Sequence, residues 1–131
     1  MYAMARRSFN AAELDYLEQQ QLGRLATVDA HGAPQNVPTG FFVEDAREIV
    51  IGGTAMGGSR KFRNVAATGV AAFVVDDIAS RDPWTVRGVE VRGHAEALAD
   101  VDPPTAGMSR EVIRIAPVLI RSWGLGSDDD G

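Results

Sequence analysis

Between positions 52 and 64 the sequence runs GGTAMGGSRKFRN: four glycines lead into Ser59, Arg60, Lys61, Phe62, Arg63 and Asn64. Lys61 is the only lysine in 131 residues, and the chain carries a formal charge of −5, so these cations are a local departure from an acidic background. A helix starting here would point unpaired backbone N–H groups and the positive end of its dipole outward, which favours an anion. Glycines let the backbone come close to such a group, Ser59 can cap the helix and lend a hydroxyl, and Arg60 and Lys61 add full charges. The chemistry indicated is phosphate binding. A solvated basic face accounts for any single arginine; the lone lysine behind the glycines favours the anion. The stretch is not a P-loop, because Gly53 and Gly58 have that spacing but Ser59 and Arg60 follow where lysine and a hydroxyl residue are required. Nor is there a G-x-G-x-x-G dinucleotide fingerprint.

Composition narrows the remaining chemistry. There is no cysteine, so disulfides, thiol nucleophiles and thiolate metal sites are excluded. The two histidines, His31 and His94, are far apart in sequence and match no zinc-ligand spacing. The acidic balance argues against nucleic-acid binding, which usually needs a broad basic face. No apolar run approaches the roughly 20 residues that span a bilayer, and the two arginines of MYAMARRSFN precede no hydrophobic stretch. The expectation is a soluble, cytoplasmic protein with neither membrane nor nucleic-acid partners. Residues 1–125 are expected to form one domain, and 126–131, with Asp128, Asp129 and Asp130, an acidic disordered tail.

The elements that must position the cations follow from local patterns. Asn10 and Glu13 are spaced as a capping pair, and Leu14 and Leu17 suit a short helix ending at Gly23. Residues 24–28 and 33–43 read as two strands joined by a turn at Asp29, Ala30, His31 and Gly32, with His31 decorating the turn. Pro38 cannot serve a central ladder, so its strand lies at an edge or is interrupted; Gln35 to Thr39 is therefore a place for a ligand. Glu48 to Gly52 is a strand entering the glycine loop, and Ser59 to Thr68 a helix packed through Phe62, Val65 and Ala66, leaving Arg60, Lys61, Arg63 and Asn64 on or near the other face. Residues 69–76 form a buried strand. Residues 87–97 alternate, with Val89, Val91 and Ala95 inward and Glu90, Arg92 and His94 outward. Asp77 to Val86 looks too polar for a strand, residues 98–111 are loop or frayed helix, and Val112 to Trp123 is a last strand interrupted by Pro117. About six short antiparallel strands and two helices fit a mostly β fold, a small closed or split β-barrel.

With these pieces in order, the chain resembles the pyridoxamine 5′-phosphate oxidase-like split-barrel superfamily, and within it the deazaflavin-dependent enzymes that use coenzyme F420. The resemblance spans Phe9 to Trp123 and rests on an ordered set: the opening helix, LGRLATV with GAPQNVP, the helix start SRKFRN, GVAAFVVDD, DPW, GVEVRG and the closing SWG. It implies a six-stranded antiparallel split barrel of the FMN-binding type, a homodimer, and a redox cofactor in a groove at each end of the subunit interface. By this resemblance Lys61 and Arg60, with Ser59, contact the cofactor phosphate; in some relatives the basic neighbour sits at the position of Ser59 instead. Gln35, Asn36, Val37 and Pro38 line the ring system, Thr54 lies on the loop above it, and Trp84 packs nearby. Arg87 and Arg92 are further candidates for the acidic tail of the cofactor, though strand arginines commonly face water.

The second strand, Asn36 to Phe42, carries no cation, and only Arg121 precedes the closing Ser122, Trp123 and Gly124. The resemblance therefore does not imply oxidation of pyridoxamine phosphate itself. It implies hydride transfer from reduced F420 to an electron-poor small molecule, chemistry the cofactor supplies while the protein supplies position and field. No triad or other catalytic side chain is legible. Two alternatives stand beside this: an FMN-binding oxidoreductase of the same superfamily, and a binding or carrier protein without turnover. Trp84 has an equal alternative as a loop anchor, and Trp123 fits core or dimer-interface packing.

Overall fold

The computed structural model describes residues 6–126. Helix α1 (Ala11–Glu18) starts with the capping box that the spacing of Asn10 and Glu13 predicts: the Glu13 N–H donates to Asn10 Oδ1 at 2.8 Å, and the Asn10 N–H to Glu13 Oε1 at 2.9 Å. The helix stops at Glu18, not at Gly23. Gly23 instead opens strand β1 (Gly23–Val28), where a Cβ would lie 2.2 Å from the Phe73 ring. Its glycine is required by packing across the sheet and does not terminate a helix.

Strands β2 (Pro34–Thr39), β3 (Phe42–Glu44) and β4 (Glu48–Ile51) follow, then helix α2 (Arg60–Thr68), and strands β5 (Val70–Arg81), β6 (Trp84–Leu98) and β7 (Val112–Trp123). They form one antiparallel sheet in the order β2-β1-β5-β6-β7-β4-β3. Its two outermost strands, β2 and β3, are successive pieces of one chain segment parted only by Gly40 and Phe41. That segment pairs with β1 through its first half and with β4 through its second, so the sheet closes on itself as a barrel. This is also why there are seven strands and not the six expected. The run from Ala33 to Val43 bends at Gly40 and changes partner, which an apolar period does not reveal. Pro38 sits on the outermost strand β2, where the missing N–H is tolerated.

Two further expectations are corrected. Asp77 to Val86 is strand, not loop: β5 and β6 run on to Arg81 and Trp84 and turn through Asp82 and a cis Pro83. Polar residues are tolerated there because partners lie across the ladder. Asp77 faces Arg87 in register and receives Arg87 Nε at 3.0 Å and Nη2 at 2.7 Å. Pro117 does not interrupt β7, because Gly93 pairs with Pro117 while Arg92 pairs with Leu119, leaving Val118 as an extra residue in a bulge.

The core is built from Leu25, Ile49, Ile51, Met56, Val65, Phe73, Val75, Val89, Val91, Ile113 and Ile115, all almost fully buried. Helix α1 is fastened to the β5–β6 hairpin. The Tyr16 hydroxyl donates to Asp77 Oδ1 at 2.8 Å, and the Arg87 guanidinium lies 5.1 Å from the Tyr16 ring centre. Burial, and then the neighbouring Asp77 carboxylate, push the Tyr16 phenol well above its usual range. Arg87 is thus committed to Asp77.

Glu13 is fully buried beneath the N-terminus of α1, and Arg6 grips its carboxylate at 2.8 and 2.7 Å. Burial alone would raise its pKa, but the bonds from Arg6 and the Asn10 N–H outweigh it and hold the carboxyl below its ordinary 4.5. A depressed folded-state pKa means this stabilisation is complete above about pH 4.5 and is lost as the pH falls through the folded value. Glu13→Gln is expected to lower stability at pH 7 by roughly 2 kcal/mol and to flatten the acid limb of a Tm-against-pH profile measured by calorimetry.

Candidate functional site

The glycine-rich connection between β4 and α2 is held by a segment whose local pattern reads as plain loop. Gly53 O accepts from Ser109 N at 2.7 Å and from Ser109 Oγ at 3.1 Å; the Met56 N–H donates back to Ser109 Oγ at 3.1 Å. Glu111 Oε1 accepts from the Gly57 N–H at 3.3 Å, and a Cβ on Gly57 would come within 3.0 Å of that carboxylate. Ser109 and Glu111 are bonded to the loop although more than 50 positions away in sequence, and no local signal marks them. Met56 is buried beneath the loop in a single 3₁₀ turn, Met56–Gly58. Thr54 is exposed on the same connection.

Ser59 caps α2 as its position predicts: its Oγ accepts from the Phe62 N–H at 3.3 Å while donating to Met56 O at 2.7 Å. The hydroxyl proton is thus spent within the protein, and Ser59 shapes the helix start more than it offers a donor. Arg63 turns back to Gly58 O at 2.6 Å and closes the loop. Arg60 is exposed. The nearby Asp29 carboxyl is held below its usual range by the Ala33 and His31 N–H groups, with a smaller contribution from the Arg60 charge. Lys61 is half-buried and makes no hydrogen bond or ion pair with any described residue. A lysine at the first turn of a helix, unpaired and close to a second cation, is disfavoured by the dipole unless an anion joins it.

Asn64 departs from its expected place. It is 5% exposed and faces the sheet, its Nδ2 donating to Thr27 Oγ1 at 3.0 Å and lying 3.4 Å from Gln35 Oε1. This contact joins α2 to β1 and β2. Strand alternation then divides the predicted ring-lining segment. Gln35 and Val37 share a face with their partners Thr27 and Leu25, whereas Asn36 and Pro38 are exposed on the opposite face with Ala26 and Arg24. On the outer face lies a cleft of about 560 Å³ with apolar walls from Val28, Pro34, Val70, Ala72 and Val118, joined by Arg92 and His94. At one end of it, Val28 and Pro34 precede and follow the Asp29 to Ala33 turn along the chain.

The structure therefore brings Ser59, Arg60 and Lys61 to one helix start and ties Gln35 to that helix through Asn64. It does not bring Trp84 to them within one chain. Trp84 is 63% exposed at the tip of the β5–β6 hairpin, ten residues along β5 from Ala71, the level at which α2 meets the sheet. At a strand's rise that is roughly 30 Å. Among the described residues no group of acidic or histidine side chains is disposed to hold a metal ion, and His31 is exposed in its turn.

Comparison with known proteins agrees with this architecture. The profile of the family described as Pyridoxamine 5'-phosphate oxidase matches residues 9–124. Over 127 residues the chain is 49% identical to the 5a,11a-dehydrotetracycline/5a,11a-dehydrooxytetracycline reductase of Streptomyces rimosus, covering 92% of this chain and 86% of that one. Among solved structures, an F420 reductase superposes with a TM-score of 0.62 at 25% identity, covering 81% of this chain and 93% of that one. An FAD-binding protein from Mesorhizobium loti superposes with a TM-score of 0.64 at 20% identity, covering 88% and 94%, a likeness of fold.

Proposed function

The chain belongs to the pyridoxamine 5′-phosphate oxidase family, and from that premise we propose that it is a coenzyme F420-dependent reductase of electron-poor, unsaturated small molecules, polycyclic enones foremost. Its similarity to a dehydrotetracycline reductase supports an oxidoreductase, and its similarity to an F420 reductase supports a deazaflavin as the hydride source. The observation that carries the reading is Lys61, which stands at the start of α2 beside Arg60 without a hydrogen bond or ion pair to any described residue. These residues fit a molecule with a planar apolar body and an anionic linker. Strand β2 contains no cation, which argues against the activity for which the family is named.

When bound, a reduced deazaflavin supplies a hydride and reacts little with oxygen. Lys61 and Arg60 hold its phosphate with the free N–H groups of α2, Ser59 keeps that helix start in shape, and Gln35, Asn36, Val37, Pro38 and Thr54 border the ring through side chains or the open backbone edge of β2. The apolar walls exclude water from the reacting face. No side chain is assigned as proton donor; water suffices.

Trp84 enters this proposal through a second copy of the chain. Its place at the far end of the β5–β6 hairpin from the level at which α2 meets the sheet, together with the exposed Ile78 on the same arm, supports a homodimer in which each hairpin tip reaches the partner's site. Trp84→Ala is expected to leave Tm unchanged and to weaken cofactor binding about five- to tenfold. Mixed Lys61→Ala and Trp84→Ala protomers should regain one full-affinity site per heterodimer, whereas a site built within one chain would regain none.

The decisive experiment is a fluorescence titration with oxidised F420 beside FMN, followed by anaerobic oxidation of reduced F420 in the presence of a tetracyclic enone, quinones and tetrapyrroles. Preferential F420 binding and acceptor-dependent oxidation are expected. Preference for FMN would overturn the cofactor assignment, and binding without oxidation across the panel would make the protein a carrier.

A further inference from the structure

A glycine-rich loop holds phosphate by leaving backbone N–H groups free, and here most of them already have an acceptor within the protein. The Met56 N–H donates to Ser109 Oγ at 3.1 Å, the Gly57 N–H to Glu111 Oε1 at 3.3 Å, the Gly58 N–H to Ala55 O at 3.3 Å and the Ser59 N–H to Met56 O at 3.0 Å. The Phe62 and Arg63 N–H groups go to Ser59 Oγ and Ser59 O. From Met56 to Arg63, only the Arg60 and Lys61 N–H groups lack an acceptor among the described residues. An anion at this end of α2 therefore meets two amides and two cationic side chains, with a resident carboxylate beside them.

That carboxylate stands where a side chain at position 57 would be, since a Cβ on Gly57 would lie 3.0 Å from both Glu111 Cδ and Oε1. Glu111 is half-buried and forms no ion pair with any described residue, so no bound cation cancels its charge. Arg60 follows Gly57 by three positions, a reach of about 10 Å in extended chain and less across the 3₁₀ turn Met56–Gly58. The screening length at 0.1 M salt is also about 10 Å, so Glu111 acts on whatever charge Arg60 and Lys61 hold.

We infer that Glu111 is a specificity-determining residue, whose charge disfavours a dianionic phosphate monoester at the start of α2 more than a singly charged phosphate diester. This rests on the cofactor reading above and adds to it a reason for taking F420 over FMN. The phosphate of F420 is a diester linkage with one charge, whereas that of FMN is a terminal monoester with a charge of about −2 above neutral pH. Repulsion scales with the charge repelled. A carboxylate that weakens the diester about threefold therefore weakens the monoester about ninefold.

The test measures Kd for F420, FMN and riboflavin, which has no phosphate, at pH 8 and low salt, together with Tm, in wild type, Glu111→Gln, Gly57→Ala and Lys61→Ala. Glu111→Gln removes the charge and keeps an oxygen for the Gly57 N–H. Gly57→Ala keeps the charge, but its Cβ pushes the end of a flexible side chain off the loop. Both are expected to tighten F420 about two- to threefold and FMN about five- to tenfold and to leave riboflavin unchanged. The difference should vanish near 1 M salt, where the screening length is about 3 Å. A purely structural role for Glu111 would instead move Tm, or shift all three ligands together. If Glu111→Gln fails to fold, Gly57→Ala carries the test. Should Lys61→Ala weaken binding while F420 and FMN respond equally or not at all to the other two changes, the selective role of Glu111 is overturned and the site stands. An unchanged Kd in Lys61→Ala would overturn the site itself.

Discussion

Lys61→Ala will fold like the wild type and bind the deazaflavin about ten- to a hundredfold more weakly, the equivalent of roughly 1.5 to 3 kcal/mol for a hydrogen bond to a charged group. The fold should survive because Lys61 makes no bond that any described residue would lose. The loss should fall on the cofactor because the other groups nearby are engaged: Ser59 in its cap, Arg63 on Gly58 O. Arg60→Ala should cost less, since its charge is exposed and screened. Raising the salt concentration should narrow the gap between wild type and Lys61→Ala if the contact is ionic. A wild-type Kd in the alanine variant, at low salt and with unaltered Tm, would remove Lys61 from the site.

Gly93→Ala is expected to be the most damaging small substitution in the barrel, costing about 3 kcal/mol or more and lowering Tm by about 10 °C. A Cβ at this position would meet Ala116 O at 2.1 Å, the Ala116 carbonyl carbon at 2.9 Å and Pro117 Cα at 3.0 Å. All three are backbone atoms of β7 at its bulge, so no side-chain rotation relieves the clash. Gly58→Ala is the control, because nothing lies within 4 Å of a Cβ there and its φ is not positive; it should change Tm by less than about a degree or two. Thermal melts of the two variants, with wild type, decide the matter. Equal stability of Gly93→Ala and Gly58→Ala would mean the bulge can slide, and that the register of β6 against β7 is softer than described.

Most of what is legible in the sequence is local. The Asn10 and Glu13 capping box, the Ser59 cap and the turn at Asp29 depend on groups within four residues of each other, and each is present where its spacing puts it. The long hairpin is hidden because its polar residues are stabilised by partners that no local window contains, Asp77 by Arg87 and Tyr16, and Asp76 by Arg24. Pattern alone puts Asn64 on the wrong face because amide polarity suggests solvent, while its actual partner, Thr27, lies 37 positions away. The attachment of the glycine loop by Ser109 and Glu111 is unreadable for the same reason. Gln35 and Val37 are grouped in the sequence with Asn36 and Pro38, although alternation along a strand already separates such neighbours.

The sheet order also has a kinetic meaning. Residues 23–51 and 70–123 each fold back on themselves through neighbouring antiparallel pairs, and the two halves are sewn together along two seams of only three residue pairs each, Arg24–Ala26 against Ala72–Val74 and Ile49–Ile51 against Ile113–Ile115. Such non-local stitching places barrel closure among the slower two-state foldings, milliseconds to seconds. The tether between the halves is the glycine loop with α2, the stretch that carries Lys61. A molecule gripping both α2 and β2 would fasten this tether to the first half, and at a hundredfold excess over its Kd it would raise stability by about 2.7 kcal/mol.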